Sequence, residues 1–152
     1  VETYVNARLG EFGLDATYTY LDAPRQLSTL IGNAPADGST PAPVLVQAQG
    51  FRRAKHIASL NFTYEPEALP LRATLTVRYN GEQNDNAFTA SFRPLLVQLP
   101  AYTIINLNAA YDINPHIQLF GRVENLADDR YQEVFGYDSP GRAVYAGARV
   151  KF

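Results

Sequence analysis

The sequence predicts an all-β, antiparallel fold, on three observations. Apolar residues recur at every second position in seven segments. Most of those segments run to about 9–13 residues, longer than the usual globular strand of about 5–6 and close to the ~9–11 that cross a bilayer. The connections between them alternate strictly between short and long. Side chains on a strand point alternately to its two faces, so each segment carries one apolar and one polar face.

The first segment, 1–9, alternates weakly from Val1 to Leu9. The second, 13–22, sets Leu14, Ala16, Tyr18 and Tyr20 against Asp15, Thr17 and Thr19. In the third, 52–64, Ala58, Leu60, Phe62 and Tyr64 alternate with Ser59, Asn61 and Thr63. The fourth, 71–82, opposes Leu71, Ala73, Leu75, Val77 and Tyr79 to Arg72, Thr74, Thr76, Arg78 and Asn80. The fifth, 101–113, has Ile105, Leu107, Ala109, Tyr111 and Ile113 on its apolar side, with Asn106, Asn108 and Asp112 opposite. The sixth, 117–126, is weaker, and the seventh, 142–152, carries Val144, Ala146, Ala148, Val150 and Phe152. No helical period of 3.6 competes with these runs.

Residues 10–13, 65–70 and 114–116 make short connections; 23–51, 83–100 and 127–141 make long ones, polar and turn-rich. In an antiparallel sheet all the short turns then fall at one end and all the long loops at the other. That asymmetry is the one found in outer-membrane barrels, with short periplasmic turns and long external loops. Tyr64, Tyr111 and Phe152 fall at the short-turn end of the apolar face, and Tyr20 and Tyr79 at the long-loop end, as two aromatic girdles would. The opposite face carries Arg72, Arg78, Arg122 and Arg149 among other polar residues, which suits a wet lumen. A soluble β-sandwich also alternates; it requires the Leu71–Tyr79 face to be buried in protein.

Composition narrows the function classes. The 152 residues are 46% hydrophobic and 18% charged, with 13 basic and 15 acidic residues, a balance that does not suit nucleic-acid binding. Ten tyrosines and eight phenylalanines argue against a disordered tail. Cysteine is absent, which removes disulfides and thiolate chemistry. Neither a Gly-rich phosphate loop nor a cofactor signature is present. His56 and His116 fall at opposite ends of their strands and cannot share a metal; His56 and Ser59, three apart on a strand, face opposite sides, so no hydrolase triad forms. Asn84-Asp85-Asn86 and Asp128-Asp129 are oxygen-rich but lack the spacing of a calcium loop. The expectation is a protein that is not an enzyme, with no cofactor and no metal.

Residues 101–152 add a specific likeness. The run Ile105-Asn106-Leu107-Asn108-Ala109-Ala110-Tyr111-Asp112-Ile113, then Val123-Glu124-Asn125-Leu126-Ala127-Asp128-Asp129-Arg130-Tyr131, then a strand ending in Phe152, resembles the C-terminal end of TonB-dependent outer-membrane receptors. Within that family, Tyr131 to Tyr137 followed by Pro140-Gly141-Arg142 is most similar to the cobalamin (vitamin B12) transporters. The resemblance is carried most strongly by 101–152, extends over 51–100, and continues over 1–50 only as rhythm. It implies the last seven strands of a 22-stranded barrel filled by a plug, all of 1–152 belonging to the barrel and the plug absent from them. It implies an outer membrane of a Gram-negative bacterium, and active uptake of a scarce, bulky nutrient, cobalamin or a ferric siderophore. Its partners would be the plug and the rest of the barrel, TonB acting through the plug, the outer-membrane assembly machinery, lipid and lipopolysaccharide, and the nutrient itself. A passive porin is the rival within the membrane.

Candidate site residues follow from this frame. Arg52, Arg53 and Arg93, with Phe88 and Phe92 close by, combine cations and aromatics that suit an anionic or aromatic chelate. Tyr131 and Tyr137 lie in the last long loop, where they either reach ligand or pack the loop on the rim. Arg72, Arg78, Arg122 and Arg149 would face the lumen and the plug. Phe152, with apolar residues at alternate positions before it, would be the assembly signal, read by strand pairing. Asn125 is expected to end its strand through side-chain hydrogen bonds.

Overall fold

The computed structural model describes residues 1–30, 39, 42–88 and 94–152. Seven long strands form one antiparallel sheet: β1 (Glu2–Leu9), β2 (Phe12–Tyr20), β5 (His56–Tyr64), β6 (Leu71–Asn80), β9 (Tyr102–Asn114), β10 (Ile117–Glu124) and β13 (Ala143–Val150), each beside the next in that order. The seven expected segments are all strands, with bounds moved by a few residues. The third begins at His56 rather than 52, because Arg52 takes a left-handed φ of 55°. The sixth ends at Glu124 because Asn125 does the same at 49°.

Register keeps the faces intact across the sheet. Val5 pairs with Ala16, Ala16 with Leu60, Leu60 with Val77 and Val77 with Ile105. Farther along, Leu107 pairs with Val123, and Val123 with Val144. A slip of one residue anywhere would throw an apolar row onto the polar face. The apolar face is not covered: Leu75 and Val77 are half-buried, Tyr79 is exposed, and among the described residues no second layer packs on them. A sandwich would bury that face, and in these residues it is not buried. β1 and β13 are the two edges of the sheet. In the hydrocarbon of a bilayer such edges would have to be closed by further strands.

The short turns are tight for identifiable reasons. Gly10, at φ 57°, makes the reversal between Leu9 and Phe12. Asn114 Oδ1 accepts from the backbone N–H of His116 and of Ile117, both at 2.9 Å, and folds the chain around Pro115.

The long connections are not the loops expected from their composition. Each contains a hairpin: β3 (Pro24–Thr29) with β4 (Val44–Gln49), β7 (Gln83–Phe88) with β8 (Pro94–Leu99), and β11 (Gln132–Val134) with β12 (Tyr137–Asp138). The middle hairpin touches both others. Leu96 N–H donates to Thr29 Oγ1 at 2.7 Å, and β8 also packs on β11. The buried apolar residues of the described chain, Leu27, Leu30, Ala54, Leu99, Tyr102 and Ile104, all lie at this end.

Candidate functional site

Two surfaces could act on a ligand or partner: the polar face of the sheet, and the crown of hairpins at its long-connection end. On the polar face, toward the short turns, Glu65 receives Arg8 at 3.1 Å and also the Arg72 guanidinium. Arg122 lies 3.2 Å from Glu124, with its guanidinium 4.6 Å from the Tyr145 ring centroid. Arg149 donates to Gln118 at 2.9 Å, and Gln118 to Asp112 at 2.8 Å. Arg72, Arg122, Arg149 and Tyr145 line a cleft of about 860 Å³ along this concave face. Arg78 stands apart, toward the crown. Its guanidinium meets Glu133 of β11 at 2.6 Å. The four expected lumen arginines therefore share the polar face, three along one cleft and one at its outer end.

The crown is organised around two carboxylates. Glu133 Oε1 takes the Arg78 guanidinium and, at 2.9 Å, the Tyr102 hydroxyl; Tyr102 in turn stacks on Tyr131 with ring centroids 4.2 Å apart. The Gln83 side chain donates to the Glu133 carbonyl at 2.9 Å. Asp85 is the second carboxylate, and its side chain is 1% exposed. Its Oδ1 accepts from Arg52 Nε at 3.0 Å, and its Oδ2 accepts from the Phe135 backbone N–H at 2.7 Å. Burial works against its charge, but the N–H groups of Phe135 and Asn86 and the Arg52 guanidinium outweigh it and hold the carboxyl below its ordinary value. Beside it, Arg52 N–H donates to the Asn84 carbonyl at 2.7 Å, and the Asn84 side chain donates to the Gln49 carbonyl at 2.9 Å.

The expected ligand residues spread over this crown. Arg52 is held by Asp85, whereas Arg53 is exposed beside Gly50. Phe88 is 65% exposed at the tip of its hairpin, and Tyr137 is 75% exposed on β12. Tyr131 has one ring face against Tyr102. Phe92 and Arg93 lie outside the described residues. Phe152 follows the end of β13 and is fully exposed. His56 and Ser59 find separate partners, the Tyr18 hydroxyl at 2.8 Å and the Thr17 hydroxyl at 2.6 Å. No group of three or more His, Asp or Glu suited to a metal ion occurs among the described residues.

Sequence reasoning missed Asp85, Glu133, Tyr102 and Gln83 as a connected set. Asn125, by contrast, does what was expected of it. Its side chain donates to the Asp129 carbonyl at 2.8 Å and accepts from the Asp129 N–H at 3.0 Å, closing the turn after β10.

An apolar outer face with aromatics at both ends describes the wall of a membrane β-barrel. Phe12, Phe62 and Tyr64 cluster at the short-turn end and Tyr18, Tyr20 and His56 at the other, with a polar concave face behind them. Comparison with known proteins sharpens this. The family model described as "TonB dependent receptor-like, beta-barrel" matches residues 1–126. The chain belongs to that family and is part of an outer-membrane barrel of a Gram-negative bacterium. The match runs through residues 1–50, where the sequence offered only rhythm. The vitamin B12 transporter of Photobacterium profundum is 31% identical over 104 residues, 68% of this chain and 16% of that protein. The ferripyoverdine receptor of the outer membrane of Pseudomonas aeruginosa, solved bound to ferripyoverdine, superposes with a TM-score of 0.68 at 17% identity, over 99% of this chain and 19% of that one. The siderophore receptor PiuA of Acinetobacter baumannii gives 0.68 at 20% identity, over 97% and 21%. The chain thus spans about a fifth or less of the relatives it matches.

Proposed function

We propose that this chain forms part of the wall and external rim of a receptor that takes up a scarce, bulky nutrient through TonB, with cobalamin or a ferric siderophore as the cargo. Family membership, together with the likeness to a vitamin B12 transporter, is the observation that carries the reading. The chain's share of the work is structural and selective. Arg72, Arg78, Arg122 and Arg149 would hydrate and pair with a plug on the polar face. Arg52, Arg53, Phe88, Phe92, Arg93, Tyr131 and Tyr137 would meet the cargo from the external connections. Lipid and lipopolysaccharide would lie against the apolar face, and Phe152 with the alternating strand before it would serve recognition by the assembly machinery. No catalytic step is assigned to these residues.

The test uses the full-length receptor in cells. Labelled cobalamin and a panel of ferric siderophores are supplied with TonB present and with TonB deleted. Saturable uptake of one cargo, lost without TonB, supports the proposal. Uptake that persists without TonB, or unselective ion conductance in planar bilayers, replaces it with a passive channel.

A further inference from the structure

The three external connections arise at separate points of the sheet, yet one buried side chain touches two of them directly and belongs to the third. Asp85 sits on β7, in the connection between β6 and β9. Arg52 comes from the segment between β4 and β5, and Phe135 from the turn between β11 and β12. We propose that Asp85 is a positioning residue that fastens these three connections into a single body, so that Arg52 and the last hairpin are presented to a ligand in one fixed arrangement. The proposal deepens the uptake reading, since it names what sets the geometry of the external rim.

The chemistry requires a carboxylate. Both oxygens of Asp85 act as acceptors, one for a guanidinium and one for a backbone N–H, and the side chain has almost no access to water. An amide of the same shape offers only one acceptor. Its NH2 would face either the Arg52 Nε–H or the Phe135 N–H, a donor set against a donor. Whichever donor loses its acceptor turns away to find another partner, which for the 57% exposed Arg52 guanidinium is water, and the connection that carries it parts from β7. Neighbouring contacts reinforce the junction on both sides. Arg52 N–H reaches Asn84 and the Asn84 side chain reaches Gln49, while Gln83 holds the Glu133 carbonyl. The β3–β4 hairpin is drawn in through Thr29 and Leu96. The sheet makes no use of Asp85, so the residue can be changed without touching a strand of the wall.

The experiment measures the junction itself. Full-length receptor in lipid nanodiscs carries spin labels two at a time at Leu45, Phe88 and Tyr137, one exposed residue on each of the three connections, and label-to-label distances are read by pulsed dipolar spectroscopy. The unaltered receptor should give one narrow distribution. Asp85→Asn should broaden it into more than one population and raise protease cleavage of the external connections on intact cells. Glu82→Gln, an exposed neighbour on the same connection, should do neither. A narrow distribution in Asp85→Asn overturns the proposal. If Asp85→Asn does not assemble, as judged by loss of heat-modifiable migration, Arg52→Gln attacks the junction from the other side. An undisturbed Leu45–Phe88 distribution there overturns the proposal equally. Both readouts are independent of cargo: unaltered receptor that transports nothing through TonB defeats the uptake reading, whereas an unchanged distance in the variants defeats only this one.

Discussion

In the wall, Leu75, Leu107 and Val123 lie in register across β6, β9 and β10 and face outward. In the crown, Leu27, Leu30 and Leu99 are buried among protein, beside the polar Thr29, Gln83 and Asp85. The two regions are held by different forces. Among the described residues the wall has no core of its own: backbone ladders satisfy its polar groups, and on the proposed function lipid would be the solvent for its apolar face. The crown has a small core of its own, whose buried polar groups are hydrogen-bonded apart from Asn86 Oδ1. The contrast teaches that a charge placed on the outer face should wreck the wall and spare the crown, while loss of one hydrogen-bonding side chain should loosen the crown and spare the wall.

The largest effect is therefore expected from Leu107→Arg. Leu107 sits midway along β9, 37% exposed, with Leu75 and Val123 beside it. Arginine at the bilayer midplane costs about 2–4 kcal/mol. Unfolding of the full receptor from lipid by guanidinium should show a loss of this size. Val150→Arg should cost less, because Val150 pairs with Ile117 at the short-turn end of the wall, near the interface where the penalty falls to about 0–1 kcal/mol. Equal losses at the two sites would mean that depth does not matter, and that the apolar face does not meet lipid.

Next comes the seam between the regions. Asn125 is 4% exposed, stands at φ 49°, and its side chain both donates to and accepts from the Asp129 backbone. Asn125→Ala strips that turn of its partners and puts a residue there that tolerates left-handed backbone less well, at a cost of about 1–3 kcal/mol. Protease should then cut within 127–141 on intact cells while the barrel keeps its heat-modifiable migration. Loss of the barrel band would show that this connection helps hold the wall.

Acid offers a milder probe. The Asp85 carboxyl is held below its ordinary value of 3.8, so its contribution to the crown is complete above that value and is lost as pH falls beneath it toward the folded one. Arg52 is the cation that touches it; of the carboxylates on the neighbouring connection, Glu133 is held by Arg78 of β6 and Tyr102 of β9, and Asp138 accepts from Gln132. Distances between labels on the connections should widen below about pH 4 with the wall intact. The same acid transition in Asp85→Asn would assign it to another group.

These regions also differ in how far the sequence discloses them. The wall was legible because alternation is local and repeated: Leu71, Ala73, Leu75, Val77 and Tyr79 announce one strand unaided, and matching rows on seven strands fix the register. The crown is harder to read because its strands are only about six residues or shorter and at least one of them buries polar side chains. In β7, Gln-Asn-Asp-Asn-Ala-Phe, the inward positions are Gln83 and Asp85, a period of two with no hydrophobic signal. Glu133 and Tyr102 stand 31 residues apart, and only the closing of the sheet and its hairpins brings them together. Asn125 could be placed from sequence because its role is a turn, decided within four residues.

The smallest effect belongs to the other side of the wall. Arg149 lies on β13 between Ala148 and Val150, one position from residues whose charge substitution is expected to cost insertion energy, yet it points the opposite way. Its guanidinium donates to Gln118 at 2.9 Å, an exposed contact on the polar cleft. Exposed polar pairs of this kind contribute at most about 1 kcal/mol. Arg149→Ala should therefore leave assembly and guanidinium unfolding of the full receptor within error, and register only if a plug carboxylate relies on that arginine. An Arg149→Ala loss matching that of Leu107→Arg would mean that the polar face of the wall is as intolerant of change as the apolar one, and the division into a lipid face and a lumen face would have to be given up.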